Sequence, residues 1–235
     1  MFANKVKKVA AIHDLSGMGR VSLTVVIPIL SSMGFQVCSL PTAILSNHTQ
    51  YPDFTFLDLT DEMPRIIAEW KRLEVEFDAI YTGYLGSPRQ IQIVSDFIRD
   101  FRRKDSLTVI DPVLGDNGKL YSNFNESMVV EMQHLVTHAD VITPNLTELF
   151  YLLDRPYKES KWSLSPVYRC WTNPTKLLFM LTIGQETVTG KSHVPICPPI
   201  IRVREIRLRV SLPELYCRET VFPLLWTVLR SLFCR

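Results

Sequence analysis

Cysteine is scarce and shows no pairing pattern. Cys38, Cys170, Cys197, Cys217 and Cys234 are odd in number and form no CxxC pair. That argues against a thiolate metal cluster or a disulfide framework and for a reduced, intracellular setting. Long apolar runs are missing too: residues 25–30 are the longest near the start, far short of the ~20 a bilayer span needs. The basic opening, residues 1–8, is followed by only a short apolar run, 9–12, before His13 and Asp14. No signal peptide fits there, and a cytoplasmic location is expected. Charge of one sign is not in excess: 26 Lys+Arg face 24 Asp+Glu, a net +2, so neither nucleic acid nor a membrane surface is implied as a partner. No P-loop, GxSxG elbow or HExxH motif occurs anywhere, which leaves P-loop phosphate binding, the serine-hydrolase elbow and zincin chemistry without a sequence signal.

A second absence is local. Residues 161–235 contain no aspartate and no alanine, yet hold 11 Lys+Arg, 4 Glu and four of the five cysteines. Subtracting these from the totals leaves 15 Lys+Arg and 20 Asp+Glu in residues 1–160, so the net charge is −5 in front and +7 behind. Alanine is common and aspartate routine on surfaces, so a folded segment of that length lacking both is anomalous. The character of the chain changes near Ser160.

What is present is a chain of ordinary globular composition, 46% hydrophobic and 21% charged, able to bury a core. Its 235 residues suit one large α/β domain or two small ones. Residues 6–13 predict a buried strand, followed by a polar turn from Asp14. Residues 22–33 predict a helix with Gly34 at its C-terminus, and 35–45 a strand interrupted at Pro41. Residues 61–72 predict a helix with acidic residues in its first turn and basic ones in its last. A strand over 79–84, a helix over 87–103, a strand over 107–112, a helix over 127–136 and a strand over 139–143 follow. Alternation of this kind means βαβ units and a mostly parallel sheet. Ligands of such sheets sit beyond the strand C-termini, where His13, Asp14, Tyr84, Asp111, Thr143 and Asn145 all fall.

Each cluster there has a functional and a plain reading. Asp111 and Asp116 in DPVLGD could share in holding Mg²⁺ and phosphate, or Asp111 could cap a turn while Asp116 is solvated. Asn145 and Glu148 in NLTE could meet phosphate and a metal-bound water at a helix N-terminus, or simply form a capping box. SNHT at 46–49 could hydrogen-bond a small ring or be only a loop. Gly17-Met18-Gly19 is too short to imply phosphate binding. His13 and Asp14 are adjacent on a strand and should face opposite ways.

The order of these pieces resembles the pyridoxal kinase branch of the ribokinase superfamily: the first strand and its turn, SNHTQY at 46–51, YTGYLG at 81–86, DPVLGD at 111–116 and ITPNLTE at 142–148. The resemblance covers residues 5–160. It implies a ribokinase-like three-layer α/β sandwich and ATP-dependent phosphorylation of the 5′-hydroxymethyl group of pyridoxal, pyridoxamine or pyridoxine. Carried over, Asp14, Ser46, Thr49 and Tyr84 would bind the vitamin, although the family often has Ser where Asp14 stands. Asp111 and Asn145 would contact ATP. Asp116 and Glu148 would hold Mg²⁺, and Thr143 a monovalent cation such as K⁺. A homodimer is the family's common state. A hydroxymethylpyrimidine kinase, or a vitamin- or nucleotide-binding protein without catalysis, is the alternative.

The family's GTGD motif, source of the anion hole and the catalytic Asp, is absent, since residues 161–235 hold only Gly184 and Gly190. No catalytic residue is therefore assigned. The genetic code suggests where the motif went. Residues 200–207 can be written ATT ATC CGG GTA CGG GAG ATA CGT, which in the neighbouring frame reads Tyr-Pro-Gly-Thr-Gly-Asp-Thr. Its Asp codon spans Glu205 and Ile206. The same shift turns residues 161–199 into a sequence that opens VVIITG, a buried strand ending in a Thr-Gly turn. The expected organisation is thus a kinase core over 1–160 and, over 161–235, a frame-shifted remnant of the same domain. A helical segment between the two parts is expected to be missing. The coding DNA decides: without GTGD in the adjacent frame, this reading is wrong.

Overall fold

The computed structural model describes residues 6–49 and 51–155. The segment from 161 onward, with four of the cysteines and the Glu205–Ile206 position, lies outside the described residues.

The first strand, β1 (Lys8–Ser16), is buried along most of its length. Helix α1 (Leu23–Ser32) leads into β2 (Gln36–Leu45), and a short strand β3 (Phe56–Asp58) precedes α2 (Met63–Arg72). Then come β4 (Ala79–Thr82), α3 (Pro88–Phe101) and β5 (Leu107–Ile110). A small ladder of β6 (Gly115–Asp116) and β7 (Lys119–Leu120) precedes α4 (Glu126–Val136), β8 (Val141–Ile142) and α5 (Leu146–Leu152). The main sheet runs β3-β2-β1-β4-β5-β8. Only β3 is antiparallel to its neighbour.

Strand periodicity splits the core into two layers. Ala10, Ile12, Ile80, Ile110 and Ile142 point to the side carrying α2, α3 and α4. Val9, Ala11, Ala79, Tyr81, Val109 and Val141 point to the side covered by α1. Both faces are buried, which is why these strands read as continuous apolar runs. Helix α3 is fixed at its start by Ser87, whose side chain accepts from the Gln90 N–H at 3.3 Å, and by Pro88 in the first turn, both standard for an N-terminus. Its Val94, Phe97, Ile98 and Phe101 fill the larger layer, where Trp70, Phe77, Phe97 and Phe101 lie 4.5–6.0 Å apart ring to ring.

Several expectations change in detail. Asp14 does not open a turn; β1 continues through it to Ser16, with a register irregularity between His13 and Leu15. Pro41 does not break β2. It is tolerated because β3 pairs only with residues 43–45, so the missing N–H falls where β2 is an edge. The acidic pair Asp61 and Glu62 precedes α2 rather than filling its first turn, whereas Lys71 and Arg72 do occupy its last. Gly34 takes the left-handed conformation, φ +86°. Strand β3 and the β6–β7 ladder were not expected.

Candidate active site

The strand order reverses direction at β1: β2 follows on one side, and β4 lies on the other. Such a switch point opens a crevice at the strand C-termini, and Asp14 and Tyr84 flank it.

Asp14 is buried, with Oδ1 accepting from Ser22 Oγ at 2.5 Å and Oδ2 from Ser16 Oγ at 3.4 Å. Burial holds its carboxyl above the usual range, and the Ser22 bond only partly offsets that. Ser22 itself sits at φ 51°, a left-handed conformation unusual outside glycine. The Gly17–Gly19 turn serves packing. The Gly17 N–H donates to the Leu45 carbonyl at 2.8 Å, and a Cβ on Gly19 (φ +118°) would stand 2.2 Å from the His48 ring. These contacts lock the turn after β1 onto the 46–49 loop. There Ser46 Oγ donates to Asn47 Oδ1 at 2.7 Å and accepts from the Thr55 N–H at 2.9 Å. Thr49 is exposed at the loop end.

Tyr84 stacks on Phe124, centroids 5.8 Å apart, and its phenol oxygen accepts from Asn123 Nδ2 at 2.9 Å. Burial raises its phenol, and the carboxylates of Asp14 and Asp58 raise it further. Just before it, Gly83 admits the buried His13: a Cβ there would lie 2.1 Å from His13 Nδ1. Burial drives the His13 imidazole down to about 3, against a hydrogen bond with the Tyr81 backbone that raises it. His13 is therefore neutral at physiological pH and packs edge-on against Tyr81 at 4.4 Å. Gly83→Ala is expected to cost about 1–3 kcal/mol through overpacking, read as a lowered thermal midpoint. An unchanged midpoint would mean that His13 swings away freely.

The second half of the rim is acidic. Asp111 follows β5, and its Oδ1 accepts from Thr143 Oγ1 at 3.0 Å. Burial pushes its carboxyl up to about 6. Asn145 caps α5, with Oδ1 accepting from the Glu148 N–H at 2.9 Å and Nδ2 donating to the Gly115 carbonyl at 2.8 Å. Glu148 completes a capping box, Oε2 accepting from the Asn145 N–H at 2.7 Å, while Oε1 accepts from the Leu114 N–H at 3.3 Å. The capping reading of these two residues is thus realised, and it also ties α5 to the 111–116 turn. Glu148 is nonetheless pushed well above the ordinary range, by burial first and by Asp111 next. Asp116 is exposed and accepts from the Asn117 N–H at 2.8 Å.

The hairpin that presents Asp116 turns on Asn117 and Gly118, both at positive φ. Asn-Gly is the strongest short-range hairpin signal, so this ladder could have been found in the sequence. Gly115 is needed because a Cβ would meet the Lys119 carbonyl at 2.1 Å. Buried Thr147 accepts from the Gly118 N–H at 2.9 Å. Tyr121 belongs to this half as well: burial, then Glu148, Asp116 and Asp111, push its phenol up to about 12. Among the described residues no three His, Cys, Asp or Glu side chains converge into a metal cage. The donor set instead suits Mg²⁺, which takes few protein carboxylates and completes its shell with water and phosphate oxygens. The repulsion that Asp111 and Asp116 exert on Glu148 is what a divalent cation would relieve.

A mostly parallel sheet with polar side chains at its switch point and an acidic rim beyond the strand C-termini is the α/β fold shared with solved pyridoxal kinases, the ribokinase-like class. The chain belongs to the phosphomethylpyrimidine kinase family, whose profile matches residues 29–166, and proteins named pyridoxal kinases are among those it is similar to. A Bacteroides thetaiotaomicron protein assigned to the phosphomethylpyrimidine kinases, solved with pyridoxal, is 83% identical and superposes with a TM-score of 0.65 over 66% of this chain and 55% of its own. Pyridoxal kinase from Leishmania donovani, solved with ADP and pyridoxamine, is 29% identical with a TM-score of 0.61 over 65% of this chain and 55% of its own. Pyridoxal kinase PdxY of Pasteurella multocida is 32% identical over 131 residues, 53% of this chain and 45% of that protein. The chain spans about half the length of the curated relatives it matches. Among the described residues no helix is long and apolar enough to cross a membrane.

Proposed function

We propose that residues 6–155 form the vitamin- and nucleotide-binding part of an ATP-dependent pyridoxal kinase, and that phosphoryl transfer by this chain is impaired. The observation that carries this reading is the 83% identity to a protein solved with pyridoxal. Asp14, Ser46, Thr49 and Tyr84 would receive the ring and its substituents. Asp111 and Asn145 would meet the nucleotide phosphates, with Thr143 orienting Asp111 and offering a site for a monovalent cation. Mg²⁺, held by Asp116 and Glu148 in part through water, would neutralise charge on the transferred group. Phosphoryl transfer depends mostly on positioning and charge stabilisation, and these residues supply positioning and a cation site but neither the anion hole nor the base of GTGD. The proton of the 5′-hydroxyl has no acceptor among them, because the GTGD Asp is missing from the sequence and the segment from 161 on reads as a frame-shifted remnant.

Calorimetric titration of the full chain tests the reading. Pyridoxal and ADP with Mg²⁺ should each bind, with little ATP-dependent formation of pyridoxal 5′-phosphate. The family name favours a second substrate, a hydroxymethylpyrimidine. Tighter binding of that ring than of pyridoxal would overturn the assignment.

A further inference from the structure

Helix α3 begins two residues after Gly86, and the third residue of the helix, Gln90, has no exposed surface. It is the polar member of an otherwise apolar buried face formed by Ile91, Val94, Phe97, Ile98 and Phe101. Burying an amide is costly unless its groups are paired, and here both ends are used. Oε1 accepts from the Gly86 N–H at 2.7 Å, while Nε2 donates to the Thr42 carbonyl at 2.9 Å and to Thr60 Oγ1 at 2.8 Å. Thr42, also fully buried, donates its Oγ1 to the Tyr84 carbonyl at 3.0 Å. The two peptide groups that flank Leu85 are thereby pinned by side chains from β2 and α3. Leu85 is itself fully buried.

The consequence reaches both sides of the ring crevice. Thr42 lies on β2, which ends at Leu45 beside Ser46, and the pinned peptides carry Tyr84. Satisfied buried networks of this kind rigidify and select one arrangement. A leucine at position 90 would fill the same space and leave the Gly86 N–H without its acceptor, at a cost of the order of an unpaired buried donor.

We propose that Gln90, with Thr42 as its partner, is a positioning residue that sets Tyr84 against the 46–49 loop, and so governs affinity for the pyridine-type ring and not for the nucleotide. This rests on the reading of Tyr84 and the 46–49 loop as the ring pocket. The nucleotide groups Asp111, Thr143 and Asn145 hang from β5, β8 and α5, which this network does not touch.

The test uses the full chain and two readouts: amide exchange by mass spectrometry, and calorimetric titration with pyridoxal and separately with ADP and Mg²⁺. Gln90→Met keeps length and apolar fit while removing all the side-chain bonds, including a longer one from Nε2 to Asp58 Oδ1 at 3.5 Å. Its 83–87 segment should lose protection at least tenfold while 91–101 keeps it. Pyridoxal affinity should fall at least tenfold, with ADP affinity within twofold. Thr42→Val, which loses only the bond to the Tyr84 carbonyl, should show the same selective loss more weakly, and it answers should Gln90→Met fail to fold. Unchanged exchange at 83–87 would overturn the proposal. So would lost protection with pyridoxal affinity intact, since Gln90 would then be a structural bond only. If the unmodified chain binds no pyridoxal, it is the proposed function that fails, and the exchange result still decides whether Gln90 holds the loop.

Discussion

Shifting the coding frame at residue 161 so that GTGD is restored is expected to raise ATP-dependent formation of pyridoxal 5′-phosphate at least ~100-fold over the present chain. The magnitude follows from what the motif supplies. A positioned base contributes roughly 10²–10⁴, and a preorganised set of donors for developing negative charge contributes a comparable factor. The present chain offers neither among the groups described. His13 is not a substitute, because burial keeps it neutral but packed against Tyr81 and Gly83 with no exposed edge. Equal turnover by the two chains would mean that another group takes the hydroxyl proton, and the account of residues 161–235 would fall.

Asp111→Asn is expected to stabilise the ligand-free chain at neutral pH while removing its affinity for ADP with Mg²⁺. Burial raises the Asp111 carboxyl from 3.8 to about 6, and that difference corresponds to roughly 3 kcal/mol. The sign follows from linkage. For a raised carboxyl, stability is whole below the ordinary value and is lost as pH rises from about 4 through about 6. The wild-type chain should therefore lose this contribution across that window, and the variant should not. The amide keeps an oxygen to accept from Thr143 Oγ1, so the local geometry survives. His13 acts in the opposite sense, since its depressed imidazole costs stability as pH falls below 6.5 towards 3. That contribution is common to both proteins and cancels in the comparison. Thermal midpoints of the two chains between pH 4 and 7.5 read the difference directly. A variant less stable than wild type at pH 7 would show that the neighbours of Asp111 favour its charge more than burial opposes it.

The candidate site and the fold were legible in the sequence to different depths. Apolar runs, amphipathic spacing and end signals such as Gly34 and the charged ends of 61–72 together located every long helix and parallel strand, because both faces of the sheet are buried. The ordered motifs at 46–51, 81–86, 111–116 and 142–148 gave the rim, since strand C-termini must converge on one edge of a parallel sheet. Composition alone carries the proposal of a break near Ser160, which falls outside the described residues. The hairpin at 115–120 had a signal in Asn117-Gly118, overlooked because its strands are two residues each. Other features had no local signal. Nothing near Gly19 or Gly83 in the chain says that an imidazole occupies the place of its Cβ. Gln90 reads as an ordinary helix residue until Thr42, Thr60 and Gly86 arrive around it from separate elements. The motifs mark Asp111 and Glu148, but not that burial raises both carboxyls and that Asp111 raises Glu148 further. Periodicity is local, and the chain carries it openly. Close approach, buried pairing and shifted charge depend on neighbours distant in sequence, and only the packed structure supplies those.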